Sequence, residues 1–469
     1  MTLRFIRKRS PAQLLLAILY FWSSGSSAAA WDWGTDFGAS ARYIDNASFL
    51  PNGADKVDTF SSSYFARAKF VRLAPQSTIE LKPRITTDLY PENDELEETN
   101  FYFEVNTSRK LGLSNLNANI RYNNVGVLSS VLDDTTGDTE VRVGDRKEYF
   151  AIFPTLTRTL GQRSTFNIGA SYSKTDFDET FSNNADSDNF SVRAGYNYLA
   201  TPRQTVGITA SYLVNESTKI GSAFLFNSTT GNLPIDDANA CNDPLGRRRP
   251  PTDDPNADPV EDCALSLVQT DIDSNVTGVN LTYNFIWTSA TSINLSLGMN
   301  FSSSDFKNTA LNPDFSDEFG LFNGNTISND SDNTAYGLGI THNAPTRTYN
   351  FTVSQRIAPV DTGGIRTTNR AQFDFENEFN SRLRLILKMS ANDSDSPGEQ
   401  TTIENKNFRG QISLARNFTT HLNIVGSYTY RWSERPPREL GDVITIGNTI
   451  TRESNQISLS LVYNIEKSK

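Results

Sequence analysis

Few residues of this 469-residue chain are equipped for chemistry: two histidines, two cysteines, and charged side chains that recur at every second position. A serine nucleophile needs a base beside it, and the base needs an acid to orient it. Neither His342 nor His421 has a serine and an acid placed with it by spacing, and the serines are too numerous to carry a signal. No phosphate-cradling glycine loop, dinucleotide turn or His/Cys metal spacing is present in the sequence. The expectation is a protein that is not an enzyme and that uses no cofactor or metal.

Cys241 and Cys263 lie in one long polar segment with no histidine nearby. In a secreted chain such a pair reads as a disulfide. As a loop staple it would contribute about 3 kcal/mol in the chain-entropy model; a metal pair is the alternative. Between them, Arg247-Arg248-Arg249 is either a solvated loop run or a contact for an anionic polymer or a lipopolysaccharide phosphate.

The recurring charges are Arg42, Arg67, Lys69, Glu80, Lys82, Arg84, Asp88, Glu104, Arg121, Arg193, Arg356, Asp374, Glu376, Glu378, Arg384, Lys388, Arg409 and Arg431. They alternate with apolar residues, so odd-and-even counting places them on the opposite face of their strands. A charge facing lipid at mid-membrane costs roughly 2–4 kcal/mol, so that opposite face must be wet or paired. One reading is a selectivity lining for a charged or polar solute. The other is a network of ion pairs that braces the wall. Both signs are present, and no ion preference is inferred from them.

Strands must therefore position these groups. Phe166, Ile168, Ala170 and Tyr172 interleave with Asn167, Gly169, Ser171 and Ser173. The same period of two returns at Ile293, Leu295, Leu297, Met299 and Phe301, and again at Ile457, Leu459, Leu461, Tyr463 and Ile465. About ten such residues cross a membrane as a tilted strand. Eighteen strands are expected, near residues 33–44, 58–72, 77–90, 99–109, 116–125, 147–159, 164–175, 188–199, 204–215, 275–288, 291–303, 333–343, 347–358, 369–380, 382–393, 405–417, 420–433 and 453–466. Short turns such as Ala200-Thr201-Pro202-Arg203 alternate with long polar loops, the longest at about 216–269. This is the pattern of a transmembrane antiparallel up-and-down β-barrel with short periplasmic turns and long extracellular loops.

Aromatic residues near strand ends suggest two interfacial girdles. Tyr43, Tyr90, Phe101, Tyr122, Tyr212, Tyr336, Tyr430 and Trp432 fall on the loop side, and Tyr198, Trp287 and Phe418 on the turn side. Residues 1–30 read as a cleaved signal peptide: a basic start at Arg4, Arg7, Lys8 and Arg9, an apolar stretch from Leu14 to Trp22, and Ala28-Ala29-Ala30 before Trp31. The barrel would occupy 31–469, with 54 acidic and 39 basic groups, a net charge of −15 that disfavours nucleic acid as a partner.

The mature chain resembles, along its whole length, the β-barrel porins encoded in bacterial exopolysaccharide operons. The residues that carry the likeness are Trp31-Asp32-Trp33-Gly34, the G-x-x-x-x-Y-x-D-N pattern from Gly38 to Asn46, and the Arg416-to-Thr420 turn before Leu422-Asn423-Ile424. Ser458, Ser460, Tyr463 and Ile465 resemble the terminal strand motif read by the barrel-assembly machinery, with Ser460 where glycine is usual. The resemblance implies a Gram-negative outer-membrane location, lipid and lipopolysaccharide as surroundings, and a part in exporting a polysaccharide with periplasmic partners. A solute porin and an adhesion or structural barrel acting through its loops are the competing functions.

Overall fold

The structure, a computed structural model, describes residues 30–46, 58–92, 96–126, 146–178, 185–226, 263–310, 326–359, 365–395, 405–435, 438–440, 444–446 and 449–466. Its strands are β1 Ala30–Ile44, β2 Thr59–Ala74, β3 Ser77–Leu89, β4 Glu98–Leu111, β5 Ser114–Gly126, β6 Arg146–Thr159, β7 Ser164–Phe177, β8 Asp186–Thr201 and β9 Gln204–Phe226. There follow β10 Cys263–Ile286, β11 Thr291–Ala310, β12 Thr326–Ala344, β13 Arg347–Pro359, β14 Ile365–Asn380, β15 Leu383–Asp395, β16 Asn405–Asn417 and β17 Leu422–Arg435. A short hairpin, β18 Arg438–Leu440 with β19 Ile444–Ile446, precedes β20 Ile450–Glu466.

Each long strand pairs antiparallel with the next, and β1 pairs with both β2 and β20, so the 18-stranded sheet closes on itself. Closure leaves no edge, the condition a sheet must meet in hydrocarbon. The seam is clasped at its loop end. Asn455 donates its backbone N–H to Asp45 Oδ1 at 2.6 Å and its side-chain amide to Asp45 Oδ2 at 2.6 Å. Asp45 returns a backbone bond to the Asn455 carbonyl at 3.1 Å.

The ladders assign one face of every strand outward. Trp33, Phe37, Tyr64, Phe70, Ile208, Leu281, Leu297, Met299, Leu414, Leu459 and Leu461 all stand exposed on it. On this face apolar surface belongs against lipid rather than water. Towards the loop side, outward tyrosines donate to polar groups on a nearby strand or at its mouth: Tyr43 to Asp58, Tyr172 to Asp188, Tyr212 to Asn275, Tyr336 to Asn369 and Tyr428 to Asn455. A phenol with a greasy ring and a satisfied hydroxyl marks the membrane–water boundary. The turn rim carries outward Arg72, Arg109, Arg158, Arg347 and Arg416, with Arg416 stacked 4.9 Å from the Phe418 ring. Two prolines interrupt ladders where they lack an N–H: β2–β3 pairing skips Pro83, and β6–β7 pairing skips Pro154.

The longest loop is shorter than the expected 216–269. β9 runs on to Phe226 and β10 begins at Cys263. The reason is a change of solvent. Above Tyr212 and Val279, the outward residues become Glu216, Asp273, Asp305, Asp330 and Asp332, while the inward ones include buried Ile272 and Val276 alongside buried Asn215, Ser217, Ser274, Ser302 and Ser304. The wall has left the lipid, its outward face has turned polar, and the backbone ladder simply continues. Cys241 lies outside the described residues, and Cys263 opens β10.

Tyr90 departs from its expected place in the girdle. It follows the last residue of β3, shares parity with inward Asp88, and is fully buried inside the mouth. At mid-belt, Leu297 is 65% exposed on the outward face. Leu297→Arg is expected to lower the unfolding free energy by about 2–4 kcal/mol. Ser296→Arg, one residue along and facing inward, should cost less than half as much; urea unfolding in vesicles measures both.

Candidate functional site in the barrel lumen

The register places Arg42, Arg67, Lys82, Arg84, Arg121, Arg193, Arg356, Asp374, Glu376, Arg384, Lys388 and Arg431 on the inward face. It brings many of them together on β1–β5. Arg67 is bonded to Asp36 across the β1–β2 ladder. Lys69 Nζ is 3.0 Å from Glu80 Oε1, Lys82 Nζ is 2.9 Å from Glu80 Oε2, and Lys82 reaches Glu104 at 3.7 Å. Asn106 donates to both Glu80 and Glu104, and Asn119 donates to Asn106 at 2.6 Å. Arg84 lies 5.0 Å from the centre of the Tyr102 ring, and Arg121 lies 5.8 Å from that of Phe153. Across the wall, Arg384 pairs with Glu376 at 3.0 Å, and Lys388 stands opposite Asp374 in the ladder.

Most of these groups are half exposed, so each ion pair is worth only about 0–1 kcal/mol. Arg42 and Asp88 differ. Their side chains are 16% and 7% exposed, 3.2 Å apart, at the loop end of the lumen. Ser63 also donates to Asp88, and Asn100 donates to its other oxygen at 3.5 Å. Arg42 donates to the Tyr90 hydroxyl at 3.2 Å. Burial pushes the Tyr90 phenol up to about 12, with Arg42 opposing and Asp88 adding to the rise.

Exposure along the inner face is graded. Near the loop rim Asn100, Asn215, Ser274, Ser304, Ser394 and Asn405 are buried, whereas Arg67, Arg84, Arg121, Arg193, Arg356 and Lys388 are exposed. Solvent thus enters the lumen from the turn side as far as mid-height. A cavity of about 730 Å³ lies there against β7–β14, lined by Asn197, Thr205, Asn284, Asn294, Thr352 and Arg356 among others.

Sequence counting missed several inward charges that the ladder reveals, among them Asp36, Arg366 and Arg370. Asp36 shares the parity of Asp32, opposite the outward Trp31 and Trp33, so the tryptophans were the signal. Arg366 and Arg370 continue the parity of Asp374. The histidines sit on the turn rim: Nδ1 of His342 meets the Thr291 hydroxyl at 2.9 Å, its ring stacks on Tyr349 at 4.6 Å, and Nδ1 of His421 lies 3.0 Å from the Asn464 carbonyl.

A closed antiparallel sheet, greasy outside and hydrated within, defines a transmembrane β-barrel of the outer-membrane type. No family model and no curated protein matches the chain. Among solved structures it is similar to the siderophore receptor PiuA from Acinetobacter baumannii, at 10% identity and TM-score 0.42, over 92% of this chain and 82% of that one. It is also similar to the outer membrane protein OpdK from Pseudomonas aeruginosa, at 10% identity and TM-score 0.39, over 93% and 99% of the two chains. The ferric citrate transporter FecA gives 7% identity and TM-score 0.42, over 92% and 79%. The strand pairing, rather than these likenesses, defines the class.

Arg42→Met leaves Asp88 buried without its cation and is expected to cost about 3–5 kcal/mol of unfolding free energy. Lys69→Met, at an exposed pair, should cost less than about 1 kcal/mol. Denaturant titration of the two variants measures the contrast. Because the folded phenol of Tyr90 titrates above its ordinary value of 10.0, its contribution is fully present below pH 10 and lost as pH rises towards 12. Stability measured across that window should fall, and Tyr90→Phe should flatten the fall.

Proposed function

We propose that this barrel is an outer-membrane conduit through which a secreted polysaccharide leaves the periplasm. The observation that carries the reading is the hydrated turn-side half of the lumen, with its cavity of amide and hydroxyl groups. Turns on the periplasmic side and loops outside, the usual sense of such barrels, would turn that entrance towards the compartment in which a polymer arrives. Sugar hydroxyls both donate and accept, and asparagine, threonine and serine side chains do the same. The resemblance to porins of exopolysaccharide operons supports the same role, with periplasmic export proteins as partners and the assembly machinery acting during insertion.

The cavity of about 730 Å³ suits a few sugar rings rather than a folded protein. A solute-selective porin would use the same polar wall. A deletion strain is expected to continue making polysaccharide while ceasing to release it, measured as cell-associated and medium fractions. Undiminished release excludes the conduit. Normal release together with a large, weakly selective conductance of the purified barrel in planar bilayers would establish the porin instead.

A further inference from the structure

The inner wall differs from one side of the lumen to the other. β1–β6, β14–β17 and β20 carry the charges described above, and Arg42, Arg67, Lys69, Lys82 and Arg384 each meet a carboxylate. On β7–β13 the inward residues are mainly asparagine, threonine, serine and glycine. Among the described inward residues of these seven strands the charged ones are Arg193, Lys219 and Arg356. All three are cations; no carboxylate is among them. Arg193 and Arg356 are solvent-exposed and have no carboxylate partner among the described residues.

The uncharged part of this arc is level. The ladders set Asn167 opposite Gly195, Asn197 opposite Gly207, Asn280 opposite Gly298 and Asn300 opposite Gly278. In all four pairs a Cβ on the glycine would collide with the asparagine side chain. Each amide therefore lies flat over the neighbouring backbone, where a larger residue would lift it into the lumen. The turn-side cavity lies on this arc, with Arg356 on its border.

We infer that β7–β13 form the binding track for an acidic polysaccharide, with sugar hydroxyls on the asparagine pavement and carboxylates on Arg193 and Arg356. A guanidinium grips a carboxylate through two parallel hydrogen bonds, and an uncommitted one is available to do so. On the opposite arc Arg42, Arg67, Lys69, Lys82 and Arg384 are already held by carboxylates, while Arg84 and Arg121 lie against the rings of Tyr102 and Phe153. Among the described residues the inward carboxylates are confined to that opposite arc, so β7–β13 present none to repel an acidic sugar. This assignment rests on the conduit reading and names the substrate class of the same lumen.

The test is blockade of single-channel current by hexasaccharides added on the turn side of the full barrel in planar bilayers. Galacturonate hexamers should block, and the blockade should weaken as salt is raised. Maltohexaose should block at least about tenfold less well, and Arg193→Gln with Arg356→Gln should weaken galacturonate blockade by about tenfold or more, since each substitution removes charge-assisted hydrogen bonds. Blockade by maltohexaose should weaken less than blockade by galacturonate in that variant. Equal blockade of the unaltered barrel by both hexamers overturns the assignment even where the variant does not insert. So does galacturonate blockade that survives the double substitution. Neither result touches the conduit itself, which stands or falls on polymer release in the deletion strain.

Discussion

Everything in this molecule follows from the absence of water around its middle. In hydrocarbon an unpaired backbone N–H or C=O costs several kcal/mol, so a sheet survives there only by closing. Closure by β1 on β20 brings residues from opposite ends of the sequence together, and the Asp45–Asn455 clasp holds that seam at the loop end. Once closed, the sheet has a lipid face and an enclosed face, and the period-two alternation is the trace of that division. The exposed leucines and the half-exposed arginines are two results of one constraint.

The enclosed face is wet, and that decides what its charges can do. In high-dielectric surroundings the Lys69–Glu80–Lys82–Glu104 chain contributes little to stability pair by pair, yet it keeps these side chains committed to one another. Arg42 and Asp88 are shielded from solvent, and there the same chemistry becomes structural. One residue pattern thus yields a buried brace at the rim and, lower in the lumen, a chain of exposed ion pairs.

The eighteen strands were legible because alternation over ten residues is a direct image of lipid on one side and water on the other. The inward placement of residues from Arg42 to Arg431 followed by parity alone. Parity has limits that the particular residues show. Tyr90 has the composition of a girdle residue, but lies one position past β3 and turns inward. Asp36 is inward by the opposite parity of Trp31, Trp33 and Phe37, a signal that composition alone does not carry. The pairing of Arg67 with Asp36, and the lack of a carboxylate beside Arg193 among the described residues, depend on which strands are neighbours and at what register, which no single strand encodes. The upper parts of β9 and β10 are not legible as strand because their outward residues turn polar above the membrane, and the alternation that marks a strand is lost there.

That change of the outward face has its own effect on how β9–β12 find one another. A uniform alternation is blind to a slip of two residues, since every side chain keeps its face. A strand whose outward face turns acidic partway is not: a slide of β10 by two positions towards the turn rim would carry Asp273 into the place of Asn275, beside Val214 and at the Tyr212 hydroxyl that marks the boundary. Even-numbered slippage, which a plain barrel strand resists weakly, is here opposed by the charge at the crossover. The vertical setting of the tallest strands is written in the point where they leave the oil.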